Sequence, residues 1–120
     1  MFEQKIYCVY MMASQRNGTI YTGISSELEI RVHQHKTGEY KSFTNRYGVR
    51  KLVYYELHEN IDQAIEREKQ IKKWRRKWKL ALIEKHNPKW NDLFSKDGEI
   101  QPLPKLEKHD FWTPAENPRE

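Results

Sequence analysis

Three short stretches dense in aromatic and β-branched residues constrain this chain most: residues 5–12 (KIYCVYMM), 19–23 (TIYTG) and 49–57 (VRKLVYYEL). Such runs are strand formers. The first two are separated by the polar SQRNG segment ending at Gly18, which predicts a β-hairpin whose loop is longer than the tight two-residue type. Between the second and third strands, Ser26 and Glu29 have capping-box spacing, and Leu28, Val32 and His35 recur at helical intervals up to Gly38. The spacing predicts a helix over residues 27–37. GEYKSFTNRYG mixes turn residues with scattered aromatics and reads as a loop.

After the third strand, Asn60 and Gln63 form a second capping-box candidate. Ile61, Ala64, Ile65 and Ile71 then mark one helical face, extended by Trp74 and Trp78. A further helical segment, KWKLALIEK, stops before Asn87 and Pro88, because proline disfavours helix at the residue preceding it. The order is β-β-α-β-α-α, a small α/β domain of the α+β kind over residues 1–94. Residues 95–120 hold four of the five prolines and read as an extended tail, in which Phe111 and Trp112 are the side chains able to dock.

At 120 residues the chain can bury roughly two thirds of the surface it exposes when unfolded, enough for a core. No apolar run approaches the roughly 20 residues of a membrane-spanning helix. The single cysteine, Cys8, excludes an internal disulfide and a cysteine-based zinc site, and the first residues lack the pattern of a secretory signal. The expected compartment is the cytoplasm. Four basic against six acidic side chains over residues 96–120 leave +7 on residues 1–95, out of a net +5. A basic body favours a polyanionic partner, nucleic acid ahead of an anionic membrane surface.

Several groups suit chemistry on such a partner. Glu68 follows Ala64 by four residues and precedes Ile71 by three, so a carboxylate lies on or beside an apolar helical stripe. It needs a partner there, either a divalent metal or a nearby Arg or Lys. Arg31 and His35 share a helix face four residues apart, which suits a solvated polar face or the binding of phosphate oxygens and relay of a proton. Tyr7, Tyr10 and Tyr21 lie on the hairpin strands, as packing residues or as proton-transfer groups if a nearby cation or metal-bound water pulls their pKa down from near 10. The run REKQIKKWRRKWK has eight Lys or Arg in thirteen positions, among them Lys69, Lys72, Lys73, Arg75 and Arg76, a footprint for phosphate backbone. Its tryptophans suit either base stacking or an apolar elbow.

Together these residues make the chain resemble the GIY-YIG nuclease superfamily, specifically its small stand-alone members, over about residues 5–94. Cys8-Val9-Tyr10 stands for the first motif and Tyr21-Thr22-Gly23 for the second. ELEIRVHQHKTG carries Arg31 and His35, AIEREKQIKKW carries Glu68, and NPKWNDL carries Asn91. Cys8 replaces the first motif's glycine and Thr22 the second motif's isoleucine. The resemblance implies a three-stranded antiparallel sheet flanked by helices, with Tyr10, Tyr21, Arg31, His35, Glu68 and Asn91 converging. In it Glu68 would bind one Mg²⁺ or Mn²⁺, Arg31 would stabilise transition-state charge, and Tyr10 or Tyr21 would help deprotonate water. His35 would assist the tyrosines, and Asn91 would steady the site. The expected function is a metal-dependent endonuclease acting on DNA, with RNA also open, weak or structure-directed in its choice of target and engaged in repair or recombination. The alternative is a non-catalytic basic nucleic-acid-binding module. Neither the oligomeric state nor the tail's role is legible.

Overall fold

The computed structural model describes residues 5–39 and 47–104. The elements are β1 (Tyr7–Ala13), β2 (Ile20–Ser25), α1 (Leu28–Thr37), β3 (Lys51–His58), α2 (Ile61–Lys73) and α3 (Arg76–His86). This is the expected order, and the strands form an antiparallel sheet in the order β2-β1-β3. The central strand is sequestered along its length: Cys8 to Ala13 are all buried, which accounts for its run of Val, Tyr and Met.

Register fixes which side chains share a face. Tyr10 pairs with Gly23 on one side and Tyr55 on the other, and Met12 pairs with Tyr21. Cys8, Tyr10, Met12, Tyr21, Gly23 and Tyr55 therefore share one face. The opposite face carries Tyr54, Glu56 and His58. His35 of α1 meets Tyr10 and Tyr21, so α1 covers the first face. Arg67 of α2 meets Glu56 and His86 of α3 meets Tyr54, so these helices cover the second. α1 is held at its C-terminal end by Lys36, which bonds the Arg50 carbonyl and the Asp92 carboxylate, while Arg50 Nη1 returns a bond to the Lys36 carbonyl at 2.8 Å.

Three local expectations are corrected. Ser26 and Glu29 form no capping box: Glu27 is the N-cap and makes no side-chain cap bond, while its N–H donates to Ser25 Oγ at 2.9 Å. Asn60 does cap α2, accepting from the N–H groups of Asp62 and Gln63. Ile61 is exposed rather than on the core face, since it starts the helix one turn before the packed positions Ala64, Arg67 and Ile71. Nor does the chain run extended from residue 95. Phe94 bridges Ile100, the Tyr55 hydroxyl donates to the Gln101 carbonyl at 2.8 Å, and Leu103 is buried. Phe111, Trp112 and the rest of residues 105–120 lie outside the described residues, as do residues 40–46.

α2 and α3 meet at an elbow where Trp74 and Arg75 are extended. Trp74 and Trp78 are buried there edge to face, with ring centroids 6.4 Å apart. They are packing residues, and the stacking platform for bases is not there.

Candidate active site

Tyr10 is fully buried, and its hydroxyl is 3.0 Å from Nε2 of His35, which is itself fully buried. The half-buried Tyr21 lies beside both, with ring centroids 5.3 Å from His35 and 6.2 Å from Tyr10. Helical periodicity explains the meeting: Leu28, Val32 and His35 lie on one stripe, so the position that continues the apolar face delivers an imidazole to the sheet. Burial, and then the charge of Arg31, hold the His35 imidazole down to about 4, so it is neutral at pH 7 and serves as one donor and one acceptor. Arg31 is half-exposed, one turn earlier on α1, and lines a polar crevice with Ser25, Ser26 and Gln34.

Gly23 makes the close approach possible. A Cβ there would lie 2.7 Å from the Tyr10 hydroxyl oxygen and 2.8 Å from Tyr21 Cε2. The rigid, fully buried Tyr10 ring cannot retreat from such an atom without displacing its neighbours. The second motif's glycine is thus the space into which the first motif's tyrosine fits. The two departures lie away from this contact. Thr22 turns to the opposite face, its buried Oγ1 without a hydrogen-bond partner among the described residues, and Cys8 lines an apolar groove with Leu28, Tyr55 and Leu57.

Glu68 stands on α2, which packs on β1 and β2. At about 100° per residue, Arg67 falls on one side of the Ala64–Ile71 stripe and Glu68 on the other. Arg67 reaches Glu56 on β3, so Glu68 is on the flank toward β2, the strand of Tyr21. Its side chain is 14% exposed, and Lys72 Nζ is 3.1 Å from its Oε2. The anticipated basic neighbour is therefore present. Among the described residues no group of three or more His, Cys, Asp or Glu could hold a metal. Glu68 nevertheless fits a Mg²⁺ or Mn²⁺ ion bound by one protein carboxylate, substrate oxygens and solvent, and the Lys72 ammonium already shows that a cation sits at this oxygen.

Asn91 does not join the ring cluster. It is exposed on the turn after α3, where Asn87 Oδ1 accepts its N–H and Asn87 Nδ2 donates to its carbonyl. Asn87 is the fully buried asparagine of the pair, also donating to the Val53 carbonyl at 2.9 Å. Lys69, Lys72, Lys73, Arg75 and Arg76 are all exposed around the α2–α3 elbow, with Arg75 lying over the Trp78 ring.

Sequence reasoning missed one constellation altogether. Glu56 accepts from Arg67 Nε at 2.7 Å and from Nη2 at 3.3 Å, lies 3.1 Å from His58 Nε2, and accepts from the Tyr54 hydroxyl. The alternation Tyr54, Glu56, His58 in VYYELH was the signal, because a period of two puts all three on one face.

The family model of the GIY-YIG catalytic domain matches residues 6–81, which span every strand, α1, α2 and the start of α3. The chain belongs to the GIY-YIG family. It is also 36% identical over 67 residues to UPF0213 proteins of Staphylococcus aureus strains Mu50 and N315, an overlap covering 56% of this chain and 82% of theirs. The solution structure of the UPF0213 protein BH0048 from Bacillus halodurans is 24% identical, with a TM-score of 0.43, covering 66% of this chain and 83% of that one. GIY-YIG membership makes this a chain of a nuclease family with a nucleic-acid substrate. No helix among the described residues is long and apolar enough to cross a membrane.

Proposed function

We propose that this GIY-YIG protein is a divalent-metal-dependent endonuclease that hydrolyses DNA phosphodiesters, acting in the cytoplasm on structured DNA during repair or recombination. The observation that carries the reading is the buried Tyr10–His35 pair with Tyr21 beside it and Arg31 one turn away. A purely binding surface has no need to bury two hydrogen-bonded titratable groups next to a cation.

The exposures distinguish the two tyrosines. Tyr10 is 1% exposed, whereas Tyr21 is only half-buried, so Tyr21 is the one that can face water and substrate. In this reading Arg31 holds a nonbridging oxygen of the scissile phosphate and stabilises the charge that builds as water adds to phosphorus. In its phenolate form, its own proton already released to solvent, Tyr21 takes the proton of the attacking water as the bond from phosphorus to the leaving sugar oxygen breaks, and that oxygen is reprotonated from solvent. Tyr10 and neutral His35 hold Tyr21 in place from beneath and can exchange a proton between themselves. Glu68 would hold the divalent ion, whose chemistry is to withdraw charge from the phosphate and the leaving oxygen. Asn91 serves at the rim rather than among the reacting groups.

One observation favours a second reading. The Glu68 carboxylate is already paired with Lys72, which suits a basic binding module with no metal. A labelled panel of linear, nicked, branched and single-stranded DNA, with matching RNA, separates the two. The nuclease reading expects cutting with Mg²⁺ or Mn²⁺, none in EDTA, and loss of cutting in Glu68→Ala and Arg31→Ala. Salt-sensitive binding without cutting at any metal concentration favours the module.

A further inference from the structure

The cations of the elbow are not equivalent. Lys69 and Lys73 are exposed on α2, and Arg75 is spread over Trp78 with its guanidinium carbon 5.4 Å from the ring centre. Arg76, Lys79 and Lys72 behave differently. Arg76 Nη2 donates to the carbonyls of Asn17 and Gly18, 2.6 Å from each, which fixes the guanidinium against the β1–β2 turn. A guanidinium has five donors, and both of these bonds use one nitrogen. Lys79 follows three residues later on the same helix face and is half-buried. Burial first, and then the positive charges of Arg76 and Lys72, lower its affinity for a proton. Lys72 in turn reaches Glu68 on the β2 flank of α2.

Holding a partly desolvated ammonium near two other cations is unfavourable, and a bound anion relieves it. We propose that Lys72, Arg76 and Lys79 form a phosphate subsite in the angle between the elbow and the β1–β2 turn. It takes a backbone phosphate of the nucleic acid other than the one at Arg31. The inference rests on the nucleic-acid reading above and sharpens it: Arg67 is buried against Glu56, and of the seven other cations in residues 67–79 these three make the specific contact while the rest contribute diffuse attraction. A polymer backbone is favoured over a free anion because exposed Lys69, Lys73 and Lys77 continue the positive track beyond the subsite.

The test is fluorescence-anisotropy binding of a labelled DNA duplex in EDTA, across a potassium chloride series, so that cleavage plays no part. Lys79→Met preserves length and apolar volume while removing the charge. It is expected to weaken binding roughly five- to tenfold at low salt and to flatten the plot of log K against log[salt] by about one unit. Lys79→Arg should bind like the wild type, and Lys96→Met, at an exposed site in the turn between Phe94 and Ile100, should change affinity less than about twofold. Equal effects at Lys79 and Lys96 overturn the subsite. A second arm follows the Lys79 ε-methylene resonance as inorganic pyrophosphate is added. If the wild type ignores DNA but pyrophosphate shifts that resonance, the anion subsite stands while the nucleic-acid reading fails. No shift with either ligand refutes the subsite.

Discussion

His35 gives the sharpest quantitative expectation, because its neutrality follows from burial and from the positive charge of Arg31. An unfolded histidine titrates near 6.5, whereas His35 in the folded chain is held at about 4. Between these values the unfolded chain binds a proton that the folded chain refuses, so acidification favours unfolding. The contribution is complete above about pH 6.5 and is lost as pH falls toward 4. At pH 5 the unfolded state gains about 2 kcal/mol from protonation and the folded state almost none. Urea denaturation of the wild type and His35→Gln, at pH 7 and pH 5, isolates this term, since glutamine can still bond the Tyr10 hydroxyl but does not titrate. The wild type should lose about 2 kcal/mol more than the variant over that interval, and the His35 ring resonances should titrate near 4. Parallel losses in the two proteins, or a titration near 6.5, would refute the claim that His35 is a neutral partner of Tyr10.

Gly23→Ala should destabilise the fold by about 1–3 kcal/mol, read by thermal denaturation, and should cost more activity than stability, because the new methyl group meets Tyr10 and Tyr21 directly. Glu56→Ala strands the buried Arg67 guanidinium and should cost about 3–5 kcal/mol in the same assay, whereas Lys96→Ala should be near neutral. Burial pushes the Cys8 thiol up to about 11, so its alkylation at pH 7.5 should be at least about 100-fold slower than that of free cysteine, and should reach the free rate only on unfolding.

Period-two and helical patterning exposed the strands, α1 and the α2–α3 pair in the sequence, because each element buries one stripe. The same rule that placed Leu28 and Val32 toward the sheet also delivered His35, although the depth of its burial depends on Tyr10 and Tyr21, whose ring positions no spacing gives. Glu68 was legible as a carboxylate beside an apolar stripe. Its side of the helix became readable only once Arg67 was seen to reach Glu56. The capping box at Ser26 failed because Ser25, at the strand end, already accepts the Glu27 N–H. Asn87 was legible only as a helix boundary, because proline follows it. The carbonyl of Val53, contacted across the fold, is what makes Asn87 the buried one. The return of residues 94–103 escaped notice because its anchors, Leu103 and the Gln101 carbonyl, are isolated groups with no period.

The most direct test of the account is single-turnover cleavage of a bound, labelled DNA by wild type and Glu68→Gln, each saturated with Mg²⁺ and checked for equal DNA binding in EDTA. The account predicts that the variant binds as tightly as the wild type but cuts at least about 100-fold more slowly, a loss of about 3 kcal/mol in transition-state stabilisation. Cutting at the wild-type rate by Glu68→Gln would contradict the assignment of Glu68. Absence of cutting by the wild type on every substrate would leave the chain a binding module.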